Sequence, residues 1–175
     1  MTTQCNVEAL HILLNQPVSR DMITHLAAAA SELVEGSPTT LCLPRLPSLE
    51  DFISHLSAQP KITTAIMVFA LVYLARLKRR IGPRKGPPSA GHRQFLAALI
   101  LSFKYNNDVQ YTIGAWAEMS CILTQNHAFW LDCDTIKTME MQMLLYLDWG
   151  LLISEAALVN ELEPLLAPIR QRLVR

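Results

Sequence analysis

Lys104 and Glu140 are charged residues in apolar company. The stretch HRQFLAALILSFKYNND, from His92 to Asp108, is apolar on nearly every face between Phe95 and Phe103, the mark of a central buried helix. Lys104 falls on the face of Arg93, Ala97, Ile100 and Leu101, so its aliphatic stem starts inside the core. In DTIKTMEMQMLLYLDW, helical spacing puts Glu140 between Ile136 and Met143/Leu144. A carboxylate there is costly unless a cation meets it, and Lys104 is the candidate partner. Spacing alone leaves a second arrangement open, in which Lys104 snorkels to water and Glu140 is unrelated to it.

Other chemistry is sparse. An enzyme needs a nucleophile, a base and a means of stabilising charge. The patterns G-x-S-x-G, H-E-x-x-H, G-x-G-x-x-G and G-x-x-x-x-G-K-S/T do not occur. No catalytic residue, cofactor or metal is therefore expected. His92, beside Arg93 at the start of the central helix, reads as a core or capping histidine rather than a ligand, for want of a partner motif. Glu50–Asp51 and Asp132/Asp134 stand at helix starts, where capping explains them. Cys5, Cys42, Cys121 and Cys133 have no C-x-x-C or zinc-finger spacing and read as thiols of a reducing compartment. Trp149 is expected to pack inside, while Trp116 and Trp130 could lie on either side. Met139, Met141 and Met143 fit either the core or an adaptable contact surface.

These side chains need elements to hold them. The 175 residues suit one domain, and 51% hydrophobic against 17% charged residues exclude disorder. Fifteen basic and fifteen acidic residues cancel, which removes weight from nucleic-acid binding. The start, MTTQCNVEAL, lacks a basic n-region, so no signal peptide is expected. The longest apolar run, Ile62 to Ala75, is too short for the ~20 residues of a membrane span.

Periodicity and caps predict helices over Ser48–Ala58, Thr63–Arg80, Gly91–Tyr105, Ile113–Leu123 and Thr135–Leu147. Two helices precede them, one from Asn6 to Asn15 and one capped by Ser19 that runs to about Val34. GSPTTLCLPRLP reads as an extended linker and GPRKGPPSAG as an exposed, mobile loop. Ser154 is expected to start a last helix that Pro164 interrupts. No period-2 run bounded by hairpin turns is visible, so the fold class is all-α. The basic stretch Arg76–Lys85 has two readings, a solvated helix end complementing the dipole, which is preferred, and a nuclear-localisation patch.

The order SLEDFI, ALVYLARL, HRQFLAALILSFKYNND, AWAEMS, MEMQMLLYLDW resembles a cyclin box, and more narrowly the fungal PHO-type or Pcl-type cyclins. The entry SRDMITHLAAAASELV followed by LPSLEDFISHL is similar to that subfamily too, and the resemblance covers about residues 18 to 153. It implies a five-helix bundle around a central buried helix. The N-terminal helical extension and linker would span 1–40, the box 41–153 and a short helical tail 154–175.

The resemblance further implies a non-catalytic regulatory subunit whose partner is the catalytic subunit of a cyclin-dependent protein kinase, in the nucleus and/or cytoplasm. Neither direct nucleic-acid contact nor a membrane role is implied. Lys104 and Glu140 match the lysine and glutamate that pair at the family's kinase-binding surface. Arg93 and His92, which flank the same central helix, are second-rank contacts, and the helix around Met139 and Met143 is the candidate source of apolar area. Many cyclins pair an Arg of the first box helix with an Asp of the second. Here Ala75 stands at the Asp position and the first helix has no Arg, which puts a substrate-docking patch there in doubt. The rival readings are a cyclin-like transcription-factor module, disfavoured by the single box and zero net charge, a helical scaffold without a kinase partner, and an enzyme with an unrecognised site.

Overall fold

A computed structural model describes residues 3–35 and 46–173. Cys42 and most of the expected linker lie outside the described residues. The elements in chain order are α1 (Thr3–Leu14), α2 (Arg20–Ser31), α3 (Leu49–Ser57), α4 (Thr64–Ile81), α5 (Ala90–Asn106), α6 (Ile113–Met119), β1 (Ile122–Leu123), β2 (Ala128–Phe129), α7 (Cys133–Tyr146), α8 (Glu155–Glu161) and α9 (Glu163–Leu173).

Local chemistry sets most helix starts. The side chains of Ser19, Ser48, Thr63, Thr112, Asp132 and Ser154 each accept a backbone N–H of the first helical turn. At Ser48, the hydroxyl both accepts from the Asp51 N–H and donates to the Asp51 carboxylate at 2.7 Å. Asp51 thus closes a cap through the hydroxyl instead of through the backbone as a glutamate would. Asp132, capping α7, accepts from the N–H and hydroxyl of Thr135, and these bonds hold its carboxyl below the usual range.

Helix α5 is the axis of the bundle. Its buried residues run from Phe95 to Phe103 almost without a break, and it packs against α2, α3, α4 and α7. The one hydroxyl in that run, Ser102, donates to the Ile66 carbonyl at 2.6 Å, which satisfies it inside the core. Helix α4 is buried nearly all round as well, beyond the single stripe that periodicity selects, because α1, α2, α5, α7 and α8 all pack on it. The buried residues form one cluster from Ala9 to Ile169, so the N-terminal helices and the tail share the core of the box.

Three expectations need correction. Residues 122–129 form a small antiparallel hairpin, with Ile122 opposite Phe129 and Leu123 opposite Ala128. Helix α6 stops at Met119, and the Thr124 hydroxyl accepts from the N–H groups of Asn126 and His127 to close the turn. Two-residue strands are too short to carry a period. The tail breaks at Leu162, ahead of Pro164, which sits in the first turn of α9 where its missing N–H costs nothing. The loop at 82–89 is exposed but stitched: the Arg84 N–H donates to Leu33 at 3.0 Å and the Glu35 N–H donates to Arg84 at 2.8 Å. Among the described residues no helix is long and apolar enough to cross a membrane, and no cluster of metal-ligating side chains forms.

Candidate functional site

The two charged residues singled out by their surroundings meet. The Lys104 ammonium donates to Glu140 Oε1 at 2.5 Å, bridging the end of α5 to the middle of α7. The Glu140 side chain is 13% exposed and that of Lys104 37%, so the carboxylate is the more deeply held partner. The pair forms because each helix fixes the phase of its charge on a half-buried flank, and an unpaired Glu140 would carry a desolvation cost. Lysine retains further N–H donors and glutamate further lone pairs for an incoming chain.

Exposed apolar side chains accompany this pair along the chain. Tyr105 follows Lys104 and packs against the half-buried Phe69, with ring centroids 6.0 Å apart. Met141 and Leu145, one helical turn apart on α7, are exposed. Trp149 and Leu152 lie in the turn after α7.

Trp149 corrects the expectation that it packs inside, being 59% exposed. Helix α7 ends at Tyr146, and Asp148 and Trp149 then take left-handed conformations with φ of 52° and 55°. Such backbone costs on the order of 1 kcal/mol or more per non-glycine residue and needs external support. That support comes from α4. Arg76 donates through its two terminal nitrogens to the carbonyls of Gly150 (2.7 Å) and Leu152 (2.8 Å). The Tyr73 hydroxyl donates to Leu151 at 2.9 Å, and burial pushes its pKa upward, which keeps it a donor. Sequence reasoning assigned Arg76 only to a basic helix end. Its carbonyl partners lie more than seventy positions downstream, beyond any local signal.

The remaining candidates divide. His92 is buried: its Nε2–H donates to the Pro47 carbonyl at 2.9 Å, and its ring packs against Phe52 and Phe129. Burial holds its pKa below 6.5, and Nδ1 has no hydrogen-bond partner. Met143 is 1% exposed and Met139 is buried too, so of the three methionines Met141 faces solvent. His92 and Met143 thus offer very little open surface here. Arg93, Met139 and Met143 line a separate groove.

Comparison with known proteins follows the same lines. Residues 39–152 match the family model described as the cyclin N-terminal domain. The chain is similar to PHO85 cyclin-1 of Saccharomyces cerevisiae, 40% identical over 178 residues that cover 96% of this chain and 61% of that protein. It is also similar to PHO85 cyclin-2 of the same yeast, 32% identical with 95% and 53% covered, and to PHO85 cyclin-9, 30% identical with the same coverage. The chain therefore spans between half and two thirds of the length of these relatives.

Proposed function

This chain belongs to the cyclin family, and from that premise we propose that it is a non-catalytic regulatory subunit that binds and activates a cyclin-dependent protein kinase of the kind named in its yeast relatives. The observation that carries this reading is the closed Lys104–Glu140 pair, bridging α5 to α7 with the exposed Tyr105 next to it in the chain. A charged anchor with exposed apolar side chains near it in the chain suits a helix of a partner.

A kinase catalytic subunit alone rests with its C helix rotated away and the Lys–Glu ion pair of its active site unformed. A rigid face that binds only the rotated-in helix shifts the population towards the active state, and needs no chemistry of its own. Lys104 and Glu140 neutralise each other while their remaining donors and acceptors meet the partner's backbone. Tyr105, Leu145 and Trp149 supply apolar area, with Trp149 held outward by the Arg76 clamp. His92 and Met143 act by holding α5 and α7 in place, while Arg93 and Met139 are contacts only if the partner reaches their groove. The complex works inside the cell, in the nucleus, the cytoplasm or both, without direct nucleic-acid contact.

The test is reconstitution. The chain alone should show no phosphotransfer, and adding it to a purified cyclin-dependent kinase subunit should raise that kinase's activity towards a peptide substrate. A kinase that binds the chain without any gain in activity would contradict the proposal, as would ordinary enzymic turnover by the isolated chain.

A further inference from the structure

A cavity of about 600 Å³ lies between the loop at 82–89, the start of α5 and one flank of α7. That volume is in the range of ligand-binding clefts, typically about 300–1,000 Å³. One wall is apolar, formed by Leu33, Ile81, Met139 and Met143. The other carries Arg84, Lys85 and Arg93, with Asp134 as the single carboxylate. Three cations against one anion leave the lining at +2, in a chain whose formal net charge is zero.

These three cations have no internal answer. Among the described residues, no carboxylate comes within ion-pair distance of any of them, and Asp134 is turned to Lys137 at 3.5 Å. The undescribed residues contain no aspartate or glutamate, so no side chain there can neutralise the groove. The two arginines are nevertheless positioned. Arg84 has its backbone tied to Leu33 and Glu35 and its guanidinium over the Tyr146 ring at 5.2 Å, a contact that uses the face of the group and none of its N–H donors. Arg93 donates through Nε to the Ser89 hydroxyl at 3.3 Å, and its terminal nitrogens make no hydrogen bond among the described residues.

We propose that this groove docks a phosphorylated peptide segment of a partner protein, with the phosphate on Arg84, Lys85 and Arg93 and an adjacent apolar side chain against Met139 and Leu33. A phosphoryl group carries about −1.5 to −2 charges at neutral pH, which matches the +2 lining. Its oxygens accept the paired N–H groups of guanidinium forks. A free anion would leave the apolar wall uncovered, whereas a peptide fills both halves.

The groove is distinct from the Lys104–Glu140 face. At 100° per residue, Thr135, Met139, Gln142 and Tyr146 lie on one flank of the buried stripe Ile136–Met143–Leu147, and Glu140 and Leu144 lie on the other. Along α5, Arg93 precedes Lys104 by eleven residues, or about 16 Å of helix. Docking in the groove therefore stands whether or not a kinase is the partner of the other face. In a kinase regulator, it would favour partners already phosphorylated once.

The test uses the full chain and a library of phosphoserine peptides with degenerate apolar flanks. The same library unphosphorylated, a glutamate-substituted library and inorganic phosphate serve as the other arms. The phosphoserine library should bind at least about tenfold better than either peptide control, the scale of a lost charge-assisted contact. Arg93→Gln and the exposed charge reversal Lys85→Glu should each lower that binding by about tenfold or more, while Lys104→Ala and Lys78→Ala leave it unchanged. Lys85→Glu keeps the test valid should Arg93→Gln disturb α5. Equal binding of the unphosphorylated or glutamate library would overturn the proposal, as would inorganic phosphate competing as well as the peptide. So would equal losses for Lys85→Glu and Lys78→Ala.

Discussion

In sequence, Arg76, Lys78, Arg79 and Arg80 run on into Arg84 and Lys85 as one basic neighbourhood, but the fold uses its two halves in opposite ways. Each cation at the end of α4 has an internal partner. Arg76 takes two carbonyls, Lys78 pairs with Glu32 at 2.9 Å, Arg79 with Glu161, and Arg80 approaches Asp148 at 3.9 Å. Just beyond them, Arg84 and Lys85 join Arg93 around a groove whose one carboxylate, Asp134, faces Lys137, and among the described residues none of the three has an ion-pair partner. The first set ties α2, α8 and the Trp149 turn to α4 and so contributes to shape. The second contributes charge that only an external partner can neutralise. His92 is a third case, a group whose charged form burial disfavours.

The largest expected effect separates the two halves directly. Arg76→Ala removes two charge-assisted hydrogen bonds that hold a strained turn, and should lower stability by about 2 kcal/mol in urea unfolding. Arg84→Ala loses only a stacking contact and should cost below about 1 kcal/mol. If the two cost the same, the division into structural and available cations is wrong.

The next effect is one of pH. The folded chain holds His92 neutral, with its pKa below the ordinary 6.5, because burial penalises the charged ring. The unfolded chain takes up a proton near 6.5, so between that value and the lower folded pKa it binds more protons than the folded chain. Stability from this group is thus complete above pH 6.5 and falls as the pH drops towards the folded pKa. His92→Gln, which can still donate to Pro47, should flatten the difference in unfolding free energy between pH 7 and pH 5. An unchanged slope would show that His92 is solvated in the folded chain. The smallest effect is at Lys78, whose pair with Glu32 is exposed on both sides. Lys78→Ala should change stability by no more than about 0.5 kcal/mol, and a larger loss would mean that this pair belongs with the Arg76 clamp.

Much of this architecture was legible because it is set locally or by period. Ser48, Thr112 and Ser154 cap their helices through contacts three residues away, and the apolar circumference of α5 admits only a central place. Lys104 and Glu140 were legible as a pair because helical phase put both in apolar surroundings, where an unpaired charge is costly. The features that escaped share a cause. Trp149 turns outward through two left-handed non-glycine residues that no propensity signals. The hairpin at 122–129 is too short for alternation, and the groove draws on segments up to about a hundred positions apart, which no window of sequence brings together.

The central claim is that Lys104 and Glu140 act as one unit at a kinase-facing surface, and a double-mutant cycle on kinase affinity tests it most directly. Lys104→Ala, Glu140→Ala and the double variant would be titrated against the same cyclin-dependent kinase subunit, with helical content checked by circular dichroism. Each single change should weaken binding by at least about tenfold, or 1.4 kcal/mol, and the double change should be no worse than the more damaging single one, since both remove the same interaction. Single changes as silent as Lys78→Ala, or losses that simply add, would contradict the claim.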